Sequence, residues 1–244
     1  MRLIPLFDVS ARRFPSVTLF MIVLLVLGFF LQIRVGATAS HTFGFDRLSS
    51  LFAISDRAIQ TGHIARLITA SLFHVNVGHL LSNAAGLLVF AGILEMLLGR
   101  SRVAIVIILS AAGGAAGSLL FHMVDWMVGS STILFGVYGG LGVLILTYRR
   151  ELGGRLVPAA IGWCLTVVLS STLGYVSLEH VDHGAHIGGF AAGALATFWM
   201  VRGRSPAELT GPHGPRGTAV LLALIAALLL GLVTEVALLV PLLT

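Results

Sequence analysis

Residues 73–100 read FHVNVGHLLSNAAGLLVFAGILEMLLGR. From Gly78 to Leu98 this stretch is apolar and long enough to cross about 30 Å of hydrocarbon as a helix of roughly 20 residues. It nevertheless carries His74, His79 and Asn83 at or near one end, where a bilayer makes imidazole and amide groups expensive. On a helix, His79 and Asn83 lie one turn apart on one face, so both can aim hydrogen-bond donors at the same spot. His74 precedes the span and is placed to fold over them. A polar cluster at the head of an apolar span predicts a helical membrane protein with a site built between its spans.

The rest of the chain agrees. Of 244 residues, 57% are hydrophobic and only 10% charged, and the mean hydropathy is +1.01, beyond the range of water-soluble domains. Spans are predicted near 14–33, 78–98, 102–124, 131–148, 156–176, 184–201 and 218–243. The fold class is therefore an all-α polytopic membrane protein. The sequence pI near 10.6 does not indicate nucleic acid, because every basic residue is an arginine and these sit in small groups between apolar runs. The single cysteine, Cys164, lies in an apolar run and reads as a small filler, so neither an intramolecular disulfide nor a cysteine metal cage is expected.

Those arginines give the topology. Arg2, Arg12 and Arg13 precede the first span; Arg100 and Arg102 follow the second; Arg149, Arg150 and Arg155 follow the fourth; Arg202, Arg204 and Arg216 follow the sixth. All fall on the cytoplasmic side if the N-terminus does. The opposite side holds Arg34, Arg47, Arg57 and Arg66 in one long loop, with Asp125, Glu179 and Asp182. The expected layout is a cytoplasmic tail (1–13), a six-helix domain (14–201) with a long external loop (34–77), a cytoplasmic linker (202–217) and a seventh helix (218–243) ending outside. The expected location is the bacterial inner membrane. Ala37-Thr38-Ala39 resembles a signal-peptide cleavage site, but the apolar core before it exceeds the usual length and Arg34 intervenes, so cleavage is not expected. In the long loop, Leu48–Ile54 and Ile64–Phe73 are predicted as short amphipathic helices. Gly211-Pro212-His213-Gly214-Pro215 marks the turn-rich linker.

Two further polar groups accompany apolar spans. Gly129-Ser130-Ser131-Thr132 opens the fourth, whose helix of about 27 Å is short for a span; a nonhelical Met127–Ser130 ahead of it is tolerable in a membrane only where it lines a protein or water-filled cavity. Asp182-His183-Gly184-Ala185-His186-Ile187-Gly188-Gly189 opens the sixth, with His183 expected in exposed loop and His186 inside the helix. Each residue alone has an ordinary structural reading: Ser131 as helix cap or packing residue, His186 as a bond to a neighbouring helix, His79 as an interfacial cap. Their grouping argues otherwise. Gly189 and Gly193 form a small-residue row, and Gly136, Gly139 and Gly140 provide small residues on the fourth span. Close approach of these two helices would bring His186 to a serine on the neighbouring backbone.

Together these stretches resemble the rhomboid family of intramembrane serine proteases. The resemblance runs from about Arg66 to Leu195 and has three parts in order: H-x-x-x-x-H-x-x-x-N at His74, His79 and Asn83; G-x-S at Gly129 and Ser131; A-H-x-x-G-x-x-x-G at Ala185, His186, Gly189 and Gly193. Arg66 and Thr69 resemble the family's loop motif, and Glu95 with Gly99 its turn after the second span. The chain departs from the family pattern at Thr132, where glycine is commonest, at Phe135 in place of a frequent tyrosine, and at Ala65 in place of tryptophan.

The resemblance implies a six-helix rhomboid-like bundle, with the seventh helix packed outside it. It also implies a Ser131 nucleophile with His186 as base, an oxyanion hole from His79, Asn83 and the Ser131 backbone N–H, and supporting roles for His74, Gly129, Phe135, Gly189 and Gly193. No carboxylate is placed to orient His186, so a dyad is expected, with packing on Phe135 fixing the imidazole. The implied substrates are transmembrane segments of other proteins, met among membrane lipids; no cofactor, metal or nucleic acid is expected. The main alternative is a catalytically inactive relative that binds transmembrane clients. A zinc site lacks H-E-x-x-H, and a transporter lacks recurring discontinuous segments in two halves.

Overall fold

The computed structural model describes residues 14–38, 51–122, 125–152, 181–205 and 208–209, with parts of 162–169 and of 219–237. Cys164, Glu235, the linker glycines and prolines and most of the fifth span lie outside the described residues. The described chain is helical: α1 (Ser16–Thr38), α2 (Asp56–Gln60), α3 (Arg66–Thr69), α4 (Val77–Leu98), α5 (Arg100–Phe121), α6 (Ser131–Thr147), α7 (Arg149–Leu152) and α8 (His183–Val201). Among the described residues, four helices (α1, α4, α5 and α8) are long and apolar enough to cross a membrane, and α6 is a shorter apolar helix. Leu27, Phe30, Leu120, Leu146 and Trp199 point outward, as lipid-facing side chains do.

The centre of the bundle is α6. Every residue from Thr132 to Gly142 is buried, the mark of a helix enclosed on all sides. It packs against α8, which packs in turn against α5. Small residues permit this. A Cβ at Gly189 would fall on the Thr132 carbonyl oxygen, one at Gly193 on the Gly136 carbonyl, and one at Gly139 on the Phe190 carbonyl. Gly113 and Gly117 of α5 stand in the same relation to Gly188 and Gly184 of α8. Backbones approach this closely only where no side chain intervenes.

The outer spans are tied to that centre by polar contacts. The Glu95 carboxylate, 2% exposed, accepts from the Val17 N–H (3.0 Å), the Thr18 N–H (2.8 Å) and the Thr18 hydroxyl (2.8 Å), capping the start of α1. Its charge suits a helix N-terminus. At the arginine-rich end, Arg102 donates to the Leu98 carbonyl at 3.0 Å and to the Leu209 carbonyl at 2.8 Å, and the Tyr148 hydroxyl donates to the Arg204 carbonyl at 3.1 Å. In the last span, Leu232 packs on the core, and a Cβ at Gly231 would sit 3.4 Å from Thr69 and 3.5 Å from Ala65.

Among the described residues the long loop differs from expectation at 34–38, which continue α1, and at Ile54. Helix is found within the predicted Ile64–Phe73 segment, as α3 followed by a tight turn over Ala70–Leu72. In the predicted Leu48–Ile54 segment residues 48–50 lie outside the described residues; Leu51 and Phe52 are helical, as expected, whereas Ile54 is extended and exchanges two 3.0 Å hydrogen bonds with Met127. A further helix, α2, follows, its start capped by the Ser55 hydroxyl, which accepts from the Ala58 N–H. Pairing with Met127 is incompatible with a helix at Ile54. α4 also contains a wide π turn over Leu87–Ala91 that no sequence pattern indicated.

Replacing Gly193 by Ala puts a methyl group on the Gly136 carbonyl. It is expected to destabilise the detergent-solubilised protein by about 1–3 kcal/mol, read as a lowered midpoint of thermal unfolding.

Candidate active site

The site begins with the backbone before α6. Gly129 has φ +119°, a conformation that side chains resist, and a Cβ there would lie 2.6 Å from the His79 ring. Its N–H donates to the Ala70 carbonyl at 3.2 Å. Ser130 follows in a nonhelical conformation, fully buried, and its side chain does not cap α6. The helix starts at Ser131, so this side chain sits at the helix N-terminus, the positive end of its dipole.

His186 comes from the first turn of α8. Its Nε2 lies 3.0 Å from the Ser131 Oγ. Across α6, Phe135 stacks on the imidazole with centroids 4.1 Å apart and planes 8° apart, which limits how the ring can turn. The His186 Nδ1 is buried without a hydrogen-bond partner among the described residues. Asp182 is buried too, but its Oδ1 accepts from the Ala185 N–H at 2.9 Å and caps α8. That carboxylate is committed to the helix start.

His183, expected in exposed loop, is instead the first residue of α8. It is half-buried, with its ring edge-on to His186 at 6.2 Å. The Asp182 cap starts the helix one residue earlier than the sequence suggested. Beside His186 lies a cavity of about 460 Å³, walled by Phe135, Val167, His183, Ile187 and Phe190.

α4 supplies the facing wall. Asn76 caps it, its Oδ1 accepting from the His79 N–H at 2.8 Å. His79 lies over Gly129. Asn83, one turn on, is 5% exposed, and its Nδ2 donors find no partner among the described residues. A buried amide left with unused donors is costly.

His74 is fully buried, edge-on to His79 at 5.1 Å. Its Nε2 is 3.2 Å from the Ser130 Oγ and accepts from the Ser130 N–H at 3.5 Å. Burial, reinforced by the neighbouring His79, pushes the imidazole down to about 3, so it is neutral at ordinary pH. Thr132 is buried with its side chain against Gly114 of α5, and Gly189 abuts its carbonyl. Its bulk is taken up between helices.

The structure thus brings His74, His79, Gly129, Ser131, Phe135, His186 and Gly189 to one region and places Asn83 one turn beyond His79 on α4, while Gly193 lies a turn deeper and sets helix separation. Sequence reasoning missed two participants. Gln32 of α1, fully buried, donates from Nε2 to the His74 carbonyl at 3.0 Å and accepts from the His74 N–H at 3.2 Å. Ser130 is the other, through its contact with His74. The available signal for Gln32 was an amide in an apolar span.

The chain is similar in sequence to known proteins. The chain is 32% identical to RHOMBOID-like protein 1 of Arabidopsis thaliana over 63% of its own length and 39% of that protein. It is 32% identical to RHOMBOID-like protein 4 of the same plant over 69% and 45%. With YdcA of Bacillus subtilis (strain 168) it shares 30% identity over 59% of this chain and 71% of that one. The chain therefore spans less than half the length of these plant relatives. The Rhomboid domain profile matches residues 61–203, well over half the chain and enclosing Ser131, His186 and all of α4. An all-α membrane bundle, the glycine-packed α6 and α8 and this match make the chain a member of the rhomboid family.

Proposed function

We propose that this protein is an intramembrane serine endopeptidase that cuts transmembrane segments of other membrane proteins. The observation that carries the reading is the 3.0 Å contact between the Ser131 Oγ and the His186 Nε2, made by two helices of a membrane bundle. In the proposed cycle His186 takes the hydroxyl proton as Ser131 attacks the substrate carbonyl, then delivers it to the departing amine. Water, activated by the same imidazole, hydrolyses the acyl-enzyme. The His186 ring is held by Phe135, and Asp182 is engaged in capping, so the catalytic unit is a dyad.

The tetrahedral intermediate carries an oxyanion. The Asn83 amide, His79 and the Ser131 backbone N–H are its proposed donors, aided by the N-terminus of α6. The cavity beside His186 offers room for substrate on the leaving-group side. Transmembrane segments reach such a site from the lipid, and hydrolytic water reaches it from outside. The N-terminus is assigned to the cytoplasm from the arginine distribution, and the location to a bacterial inner membrane. The rival reading, an inactive client-binding relative, drew on Thr132; the packing of that side chain against Gly114, away from the dyad, favours activity.

Ser131→Ala and His186→Ala are each expected to abolish cleavage of a generic transmembrane substrate and labelling by a serine-reactive fluorophosphonate. Wild-type-level cleavage by Ser131→Ala would refute the nucleophile assignment. Asn83→Ala is expected to lower kcat by about 100-fold or more with fluorophosphonate labelling slowed but still detectable, measured on reconstituted protein.

A further inference from the structure

The backbone just before Ser131 has no helix to hold it. Gly129 is left-handed and Ser130 is nonhelical, with its side chain turned away from the cap position. Yet the peptide joining Ser130 to Ser131 fixes both where the Ser131 side chain emerges and where its N–H points. An error of a fraction of an ångström there is enough to cost rate. Something outside α6 has to set this peptide.

Three fully buried polar groups form a continuous path to it. Gln32 pairs its side-chain amide with both backbone groups of His74, at 3.0 and 3.2 Å, as one strand pairs with another. That fixes the position of His74, which lies in no helix of its own, between Phe73 and the Asn76 cap of α4. The His74 imidazole in turn holds Ser130 by its hydroxyl at 3.2 Å and its N–H at 3.5 Å. Resting on the assignment of Ser131 as nucleophile, we propose that Gln32, His74 and Ser130 are a positioning relay that runs from α1 to the peptide preceding the nucleophile and fixes the aim of its oxyanion donor. None of the three touches the reacting atoms. The relay makes α1, otherwise a peripheral span, a determinant of turnover.

A positioning role and a plain packing role give different kinetics. Ser130→Ala removes one hydroxyl and is expected to lower kcat about tenfold with KM within twofold and the unfolding midpoint little changed. His74→Leu should lose as much, while His74→Gln, which keeps a hydrogen-bond acceptor at similar reach, should recover most of it. The Ser130→Ala, His74→Leu double variant should be no slower than the slower single variant, because one path is cut either way. Gln32→Leu is expected to follow the same pattern, with Gln32→Asn, too short to span both His74 groups, standing in if Gln32→Leu does not accumulate. Unchanged kcat in Ser130→Ala, a loss confined to KM, or single losses that multiply in the double variant would overturn the relay. Ser131→Ala measured in parallel separates the two levels: if it is inactive, those results count against the relay alone, and if it still cleaves, nucleophile and relay fall together.

Discussion

The distance between α6 and α8 governs everything at the site. The 3.0 Å contact between Ser131 and His186 is made across a helix pair whose backbones touch. Glycines at 189 and 193 set that distance by placing α8 directly on the Thr132 and Gly136 carbonyl oxygens. In lipid, helices gain little from hydrophobic exclusion, so backbone contact and dispersion supply the attraction. The same close packing recurs between α5 and α8 through Gly113, Gly117, Gly184 and Gly188. α8 is therefore held from two sides, and the His186 ring has little freedom once Phe135 stacks on it.

That packing raises a second requirement. The chain enters α6 through the nonhelical Met127–Ser130 segment, whose peptide groups need partners inside the protein. The long loop provides them. Ile54 pairs with Met127, the Ala70 carbonyl takes the Gly129 N–H, and His74 takes the Ser130 N–H. The loop is secured by the Phe52–Phe73 stack, at 4.2 Å, and by buried Arg66, which donates to the Ala53 carbonyl at 3.3 Å. What reads as a connection in the sequence is the scaffold that supports the entrance to α6.

This division explains what was legible in the sequence. Among the described residues, the positions of α1, α4, α5, α6 and α8 followed from hydropathy, and the His79–Asn83 face and the Gly189–Gly193 row followed from helical spacing, because each depends on residues near in sequence. The bridge at Ile54 was not legible, since its partner Met127 is remote and an isolated pair leaves no alternating pattern. Glu95 was noticed only by resemblance; that it caps α1 depends on a contact between chain segments far apart. Gln32 was overlooked because a single amide in a span is usually read as incidental, and its pairing with the His74 backbone joins segments far apart in sequence. His183 shifted from loop to helix because Asp182 acts as a cap, which its position before Gly184-Ala185 does not announce.

The use of Asp182 bears on the chemistry proposed. A carboxylate one turn from a histidine invites a triad, but a triad needs an oxygen at the imidazole Nδ1, and Asp182 spends Oδ1 on the Ala185 N–H. Its remaining oxygen has no partner among the described residues, and neither has the His186 Nδ1, so the two are not bonded to each other. A stacked aromatic ring fixes orientation without adding charge. In the proposed cycle the imidazolium formed during attack has the negative charge of the tetrahedral intermediate as its counter-charge, which would tie the basicity of His186 to the quality of the proposed oxyanion hole. In such a dyad, small displacements of the Ser131 N–H weaken both partners together, and a buried support extending as far as α1 becomes physically sensible.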